Sequence, residues 1–454
     1  MSPDHPCWNY LLEWLVKHGM DTSSRNLKVE VRETSRAGYG LFALCDIAPS
    51  SSLFTIPATA LLNVSTLSPH YPPIQPPLTA VQLLSLHLLR FRPKTSQRSL
   101  DPLFGPYISI LPGHFDSHPL TWLWKKTKQP FGANLYLRLI CDIPPSVLLS
   151  LTHVFDRFQS DWETICQYLS KHHDVFPRKF ELLESDFLWA WLNVNTRCVY
   201  HQLMPSQSHS DNLTLCPILD FANHTTGKIR MTTLSQAHEG FRNIIGGNFT
   251  LLTPSSIVTQ EHDELYLMYG AHSNRKLFVD YGFVNRTLDG GGEVDIQEPI
   301  QALFTGRGDL GKWMKYQLVE SGYWGDWTLH SYPPPAHPSY RVIMALRLYH
   351  VFPPTSDQVP PDANDIILPW VYVLQGKQDF LSEENENAWR RTLLQLSDRL
   401  ASRAILMTTE AFSDDNENGP EWFREMREAI RFLWEEELHV ASGVSASIIQ
   451  GLQF

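Results

Sequence analysis

Between residues 264 and 284 the chain reads Glu-Leu-Tyr-Leu-Met-Tyr-Gly-Ala-His-Ser-Asn-Arg-Lys-Leu-Phe-Val-Asp-Tyr-Gly-Phe-Val, so two Tyr-Gly pairs bracket a short amphipathic segment. Leu265 and Leu267 alternate with Tyr266 and Met268, the period of a half-buried strand, and Gly270 can end that strand with a positive φ. Asn274, Leu277, Phe278 and Tyr281 then recur at helical spacing, with Gly282 placed to stop the helix. The pattern predicts strand, turn, helix and exit, with Tyr281 turned inward beside Leu277 and Phe278. An inward phenol needs a polar partner. A core tyrosine finds a backbone carbonyl, whereas a tyrosine lining a site meets a ligand.

A chain of 454 residues is too long for one ordinary core, and two domains are expected. Residues 1–26 are expected to hold an N-terminal helix with Trp8, Leu11, Leu12 and Leu15 on its apolar face; its scattered charges are not those of a signal peptide. No apolar run is long enough to cross a bilayer, so no membrane partner and a cytoplasmic or nuclear location are expected. The formal charge of -11 argues against direct nucleic-acid binding and suits a basic protein substrate. A monomer is expected. The 6 cysteines are widely spaced with no Cys-X-X-Cys pair, which indicates neither a zinc cluster nor a disulfide framework; they are expected to be reduced and buried. His114, His118, His172 and His173 lack converging metal-ligand partners and read as solvated loop histidines, so no metal site is expected.

The fold class expected from patterning is α+β. Residues 27–32 alternate as a strand, and Gly38 and Gly40 turn the chain into Leu41-Phe-Ala-Leu. The Gly38-Tyr-Gly-Leu-Phe-Ala43 run also meets a loose dinucleotide-binding pattern, but Pro49 and the strand-like residues 52–56 deny it the helix that pattern requires. A helical insertion at about residues 65–199 follows, with Thr79 capping residues 81–89 and an aromatic run through Trp189 and Trp191. β structure returns through residues 249–252 and 264–267 to about residue 285. Residues 300–454 read as a helical domain, striped by Trp389, Leu393, Leu396 and Leu400 and then by Phe423, Met426, Ile430 and Leu433, with Pro420 at the first position of the last helix. The Arg307-Gly-Asp309 triplet reads as a turn.

Three stretches in order, Arg36-Ala-Gly-Tyr-Gly-Leu-Phe-Ala43, Pro217-Ile-Leu-Asp-Phe-Ala-Asn-His224 and the tyrosine stretch, resemble the SET-domain methyltransferases. The branch they resemble contains the Rubisco large-subunit lysine methyltransferase and its animal and fungal relatives, and the resemblance covers nearly the whole chain. It implies a β-rich SET domain over residues 27–285 with a helical insertion, then an α-helical substrate-binding domain. It implies S-adenosylmethionine as cofactor, no metal, and a protein substrate, with ribosomal proteins among those modified by fungal relatives.

The resemblance assigns Ala37, Gly38 and Tyr39 to the methionine end of the cofactor, although relatives can carry an acidic residue where Ala37 stands. It places Arg197 near the cofactor carboxylate, a task suited to a guanidinium's paired donors; alone, Arg197 reads as a helix-end arginine facing water. Asn223 and His224 are implied to lie beside the adenine. Asp220 organises the crossing loop or touches substrate. Tyr281 is implied to be the catalytic tyrosine and a cofactor neighbour, orienting an amine rather than removing its proton, since a phenol titrates at about 10. The implied activity is protein-lysine N-methylation. The rival within the fold is protein-histidine methylation, whose branch places an amide where this chain has Val199. A catalytically silent peptide-binding module is the rival outside enzymes, and a serine hydrolase is disfavoured because no Gly-X-Ser-X-Gly elbow occurs.

Overall fold

The computed structural model describes residues 7–34, 38–94, 97–128, 134–175, 181–227, 232–236, 238–239, 242–243, 245–286, 292–410 and 419–454. The chain forms two compact units, Met1–Phe115 with Asp156–Ala271, and Asp116–Phe155 with His272–Phe454. Residues 116–155 of the helical insertion, and the helix after the tyrosine strand, therefore belong to the same unit as the C-terminal helices.

The first unit is built on small sheets. Val29–Thr34 and Gly38–Ala43 form an antiparallel hairpin, with Val31 opposite Leu41 and Thr34 opposite Gly38. Because Gly38–Ala43 is a strand paired on both sides, no helix follows the glycines and no dinucleotide fold exists here. The Glu264–Leu267 strand adds antiparallel to Gly38–Ala43, and its other edge takes Asn223–His224 in parallel, with Tyr266 opposite Asn223 and Leu267 opposite His224. That parallel pair joins two stretches forty residues apart in sequence. The predicted alternation holds, since Leu265 and Leu267 are buried while Glu264 and Tyr266 are half-buried. Ser52–Ile56 pairs with Phe249–Leu252, as its β-branched and aromatic content favours.

The Ala80–Arg90 helix starts in a capping box: Thr79 Oγ1 accepts from the Gln82 amide, and the Gln82 side chain accepts from the Thr79 amide. It packs on Glu184–Arg197, whose Phe187, Trp189 and Trp191 are all buried. In the second unit, Trp327, Trp370 and Trp389 anchor one core with Phe304, Met314 and Leu346. Arg307 of the expected turn joins two helices, Gln297–Thr305 and Gly308–Glu320, and is itself buried, donating to the carbonyls of Pro353 and Ser356.

Several expectations need correcting. Pro420 is the cap before the Glu421–Ile449 helix, one position earlier than predicted. Cys45 and Cys141 are exposed and, of the six thiols, only Cys216 is buried; all are free. His118 is buried rather than solvated, because burying it satisfies both ring nitrogens. Among the described residues no group of His, Cys, Asp and Glu could hold a metal ion, and no helix is long and apolar enough to cross a membrane.

The last helix carries two buried acids on successive positions, Glu436 and Glu437. Burial pushes both carboxyls up to about 7; the Asn274 amide opposes it at Glu436, where Glu293 adds repulsion, and Arg403 opposes it at Glu437. A raised acid keeps its proton in the folded chain after the unfolded chain has released it. Their contribution is thus fully present below the ordinary glutamate value of 4.5 and is lost as pH rises to about 7. Urea midpoints at a pH of about 5 and of about 8 should show this loss, and Glu437→Gln should flatten it. An unchanged pH slope in that variant would assign the dependence to other groups.

Candidate active site

Four of the expected residues converge in the first unit. Asn223 lies where its strand pairs with Glu264–Leu267, and its amide nitrogen donates to the Tyr39 carbonyl at 3.3 Å and to Glu264 Oε1 at 2.8 Å. Glu264 is held in turn by the Tyr266 hydroxyl, which donates to Oε2 at 2.6 Å. One amide thus ties the glycine strand to the Asn-His strand.

Arg197 closes the C-terminal end of its helix, where a cation is favoured by the aligned peptide dipoles. Its Nη1 donates to the Asp220 carbonyl at 2.9 Å and approaches Asp220 Oδ2 at 3.4 Å. The helix-end arginine therefore turns toward the protein, not into water. Tyr107, fully buried, donates its hydroxyl to the same Oδ2 at 3.2 Å. Burial raises the Asp220 carboxyl above the usual range, and Arg197 and Tyr107 oppose that. The turn carrying Asp220 is strained: Ile218, a buried β-branched residue, sits at φ 68, a conformation that costs about 1–3 kcal/mol. Such strain persists only where the surroundings impose it.

His224 accepts at Nδ1 from the Tyr269 backbone amide at 3.2 Å, so the proton of the neutral ring sits on Nε2. Tyr269 also donates its hydroxyl to the Ala222 carbonyl at 3.0 Å. Val199 begins the two-residue strand after Arg197 and pairs with Thr214. Ala37 lies outside the described residues.

Tyr281 belongs to the second unit. It ends the Asn274–Tyr281 helix, whose Leu277, Phe278 and Val279 are buried, but it is itself only half-buried, stacked at 6.0 Å with His272 and edge-on at 6.2 Å to Phe283. A pure core tyrosine would be covered as its neighbours are. Gly282 follows at φ 81, and a Cβ there would come within 3.0 Å of His118 Cδ2. His118 Nδ1 accepts from the Leu120 amide and Nε2 donates to the Asp280 carbonyl, so the ring locks the helix end beside Tyr281. Burial lowers the His118 pKa to about 4, which keeps it neutral in that role.

Sequence reasoning missed Tyr107, Glu264, Tyr269 and His118. Tyr269 carried a signal, as the first of the two bracketing tyrosines. Tyr107 carried none, because its partner lies more than a hundred residues away.

S-adenosylmethionine presents an α-carboxylate, an ammonium and a sulfonium, and the residues present can be tested against that set. Arg197 Nε and Asp220 Oδ1 are both buried and without a hydrogen-bond partner, one a donor and one a carboxyl oxygen. No heavy atom lies within 4 Å of the position a Cβ at Gly38 would take, so the backbone there is open to close approach. An unmatched donor, an unmatched carboxylate and accessible main chain suit a zwitterionic amino acid bearing an extra positive charge.

Over 319 residues the chain is 28% identical to ribosomal lysine N-methyltransferase set11 of Schizosaccharomyces pombe, across 70% of this chain and 69% of that enzyme. Over 292 residues it is 27% identical to ribosomal lysine N-methyltransferase 2 of Saccharomyces cerevisiae, across 60% of this chain and 58% of the yeast enzyme's length. The solved structure of Rubisco LSMT bound to AdoMet superposes with a TM-score of 0.63 at 18% identity, covering 98% of this chain and 93% of that one. The chain is similar in sequence to SET-domain lysine methyltransferases and shares the SET fold of the Rubisco LSMT structures. No protein-family model matches it. The SET fold accounts for the parallel pairing of Asn223–His224 with the tyrosine strand and for the helical C-terminal region.

A test of the buried cluster in this SET domain is Tyr107→Phe. It keeps the ring's packing but takes a donor from a buried carboxylate, and stability should fall by about 1–3 kcal/mol by urea unfolding. An unchanged midpoint would mean that Asp220 finds another partner.

Proposed function

We propose that this SET protein is an S-adenosylmethionine-dependent protein-lysine N-methyltransferase. The observation that carries the reading is the pair of unmatched buried atoms, Arg197 Nε and Asp220 Oδ1, beside the Tyr39–Asn223 hydrogen bond. Two fungal relatives named for ribosomal lysine methylation support it.

In this reading Arg197 holds the cofactor carboxylate with Nε, while its Nη1 stays on the Asp220 carbonyl. Gly38 and Tyr39 offer backbone groups to the methionine end, and Ala37 is assigned there by resemblance alone. Asn223 and His224 bind by main chain, because the Asn223 amide nitrogen is already committed to Tyr39 and Glu264. Asp220, held by Arg197 and Tyr107, turns a carboxyl toward the site and suits a cationic group, whether of cofactor or of substrate. Bound there, S-adenosylmethionine would supply an electrophilic methyl group to a neutral lysine amine and would leave as S-adenosylhomocysteine. The Tyr281 hydroxyl accepts from that amine and aligns its lone pair, and no metal is needed. A lysine titrates near 10.4 in water, so apolar walls that penalise the ammonium help it lose its proton first.

Lysine is favoured over histidine because Val199 offers no polar group to an imidazole. A basic ribosomal protein is the substrate class that best suits the charge of -11 and the fungal relatives. A monomer in the cytoplasm or nucleus, binding neither nucleic acid nor membrane directly, completes the proposal.

The test is to incubate the purified protein with labelled methyl donor and isolated ribosomal proteins in a chelator, then map the label by mass spectrometry. Methyl-lysine is the expected product. Label on histidine would overturn the acceptor assignment, and cofactor binding that requires added zinc would overturn the metal-free site.

A further inference from the structure

A second cavity, of about 270 Å³, opens in the first unit between the end of the Ala80–Arg90 helix and the loop around Asp101. It shares no residue with the cluster around Arg197 and Asp220. Its walls include Tyr71, His87, Arg90, Phe91, Asp101 and Leu103. Four of these form a chain. Asp101 accepts from the backbone amides of Leu103 and Phe104 at 3.1 and 2.9 Å, and its Oδ2 lies 2.8 Å from His87 Nε2. With Nε2 facing a carboxylate, the ring presents Nδ1 as acceptor to the Tyr71 hydroxyl at 2.8 Å. The positive charge of Arg90 lies close enough to the Tyr71 oxygen to act on it. The His87 and Asp101 side chains are 1% and 0% exposed.

A polar pair buried this deeply is weak evidence for stability, because well-packed apolar residues commonly do as well or better. What the chain accomplishes geometrically is to fix the outermost group. Each link has one partner inward, ending at Tyr71, beside which stands Arg90 with its guanidinium 5.0 Å from the Phe91 ring centre. A guanidinium has five donors, and Tyr71 cannot use them all. Asp101, the carboxylate in the wall, makes its short contacts to His87 and two amides, and among the described residues it forms no ion pair with Arg90. The cavity therefore combines a guanidinium that makes no direct ion pair among the described residues with apolar walls from Phe91 and Leu103. At about 30 Å³ per water it has room for roughly nine waters, or a ligand of about ten non-hydrogen atoms.

We propose that this cavity binds a small organic monoanion, an aromatic carboxylate. The carboxylate takes paired N–H groups of Arg90, and the ring lies against Phe91 and Leu103. A single wall guanidinium favours one negative charge over a phosphate's two, and the apolar walls favour a ring over an inorganic ion.

Phenylacetate is the probe, titrated calorimetrically into the full-length protein without cofactor. Saturable binding with Kd at or below about 1 mM is expected. Benzyl alcohol, of similar shape without the charge, and inorganic phosphate, with charge but no ring, should each bind at least about tenfold more weakly. Arg90→Leu should lose about tenfold or more, and Tyr71→Phe, which removes the hydroxyl near Arg90 but keeps the guanidinium, should lose less. If Arg90→Leu folds poorly, Leu103→Trp fills the cavity from its rim and should abolish binding. Absence of saturable heat with phenylacetate up to about 10 mM, ten times the expected Kd, would overturn the proposal. So would equal affinity in a folded Arg90→Leu variant, or phosphate binding as tightly as phenylacetate. Methyl transfer is not read in any arm, so this outcome and that of the methylation assay are independent.

Discussion

Tyr281→Phe is expected to lower methyl transfer by roughly 100- to 1,000-fold, the 2.7–4 kcal/mol that one preorganised hydrogen-bonding group contributes in a transition state. The ring would keep its stacking on His272 and its edge contact with Phe283, so the helix end should survive. Affinity for S-adenosylmethionine and thermal stability should change far less than turnover. A core role predicts the reverse, a small drop in melting temperature with turnover near wild type. The half-buried position of Tyr281, beside three fully buried neighbours, favours the first outcome. One variant measured for turnover, cofactor affinity and melting temperature separates the two, and near-normal turnover in the folded variant removes the residue from the chemistry.

Arg197→Met carries the second large effect, this time on stability and cofactor affinity together. The Asp220 side chain is 3% exposed, and Arg197 is its cationic partner while Tyr107 is its neutral one. Removing one member of a buried pair leaves the other uncompensated, and a loss of about 3–5 kcal/mol is the usual scale, lessened here because Arg197 is itself 22% exposed. Asp220→Asn in the same chain removes the stranded charge and should restore much of the stability. It should not restore cofactor affinity, because the guanidinium is still missing. Urea unfolding and calorimetry on the two single variants and the double variant test this. Recovery of both properties in the double variant would mean that Arg197 only neutralises Asp220 and does not bind cofactor.

The stretches that announced the site are those whose chemistry is local. Alternation at residues 264–267, helical spacing through Tyr281 and a glycine stop were all legible because each rests on neighbours within a few residues. The same holds for Thr79 as a helix cap and for Arg197 at a helix end. Motif order across three stretches then carried the family, which no single stretch could.

Three-dimensional packing decided the rest. Apart from the resemblance, under which the Asn-His pair and the tyrosine strand thread past each other, no local pattern places Asn223 alongside Tyr266, because a two-residue strand has no period to read and a parallel partner needs no connecting turn. Tyr107 reaches Asp220 across 113 positions, and His118 reaches the carbonyl of Asp280 across 162. In each case a polar group was drawn into the interior because a partner from a distant segment waited there, and that partner is what makes its burial affordable. His118 read as a solvated loop histidine for that reason: residue type and local spacing determine whether a group prefers water, while only the fold determines whether the interior offers it an alternative.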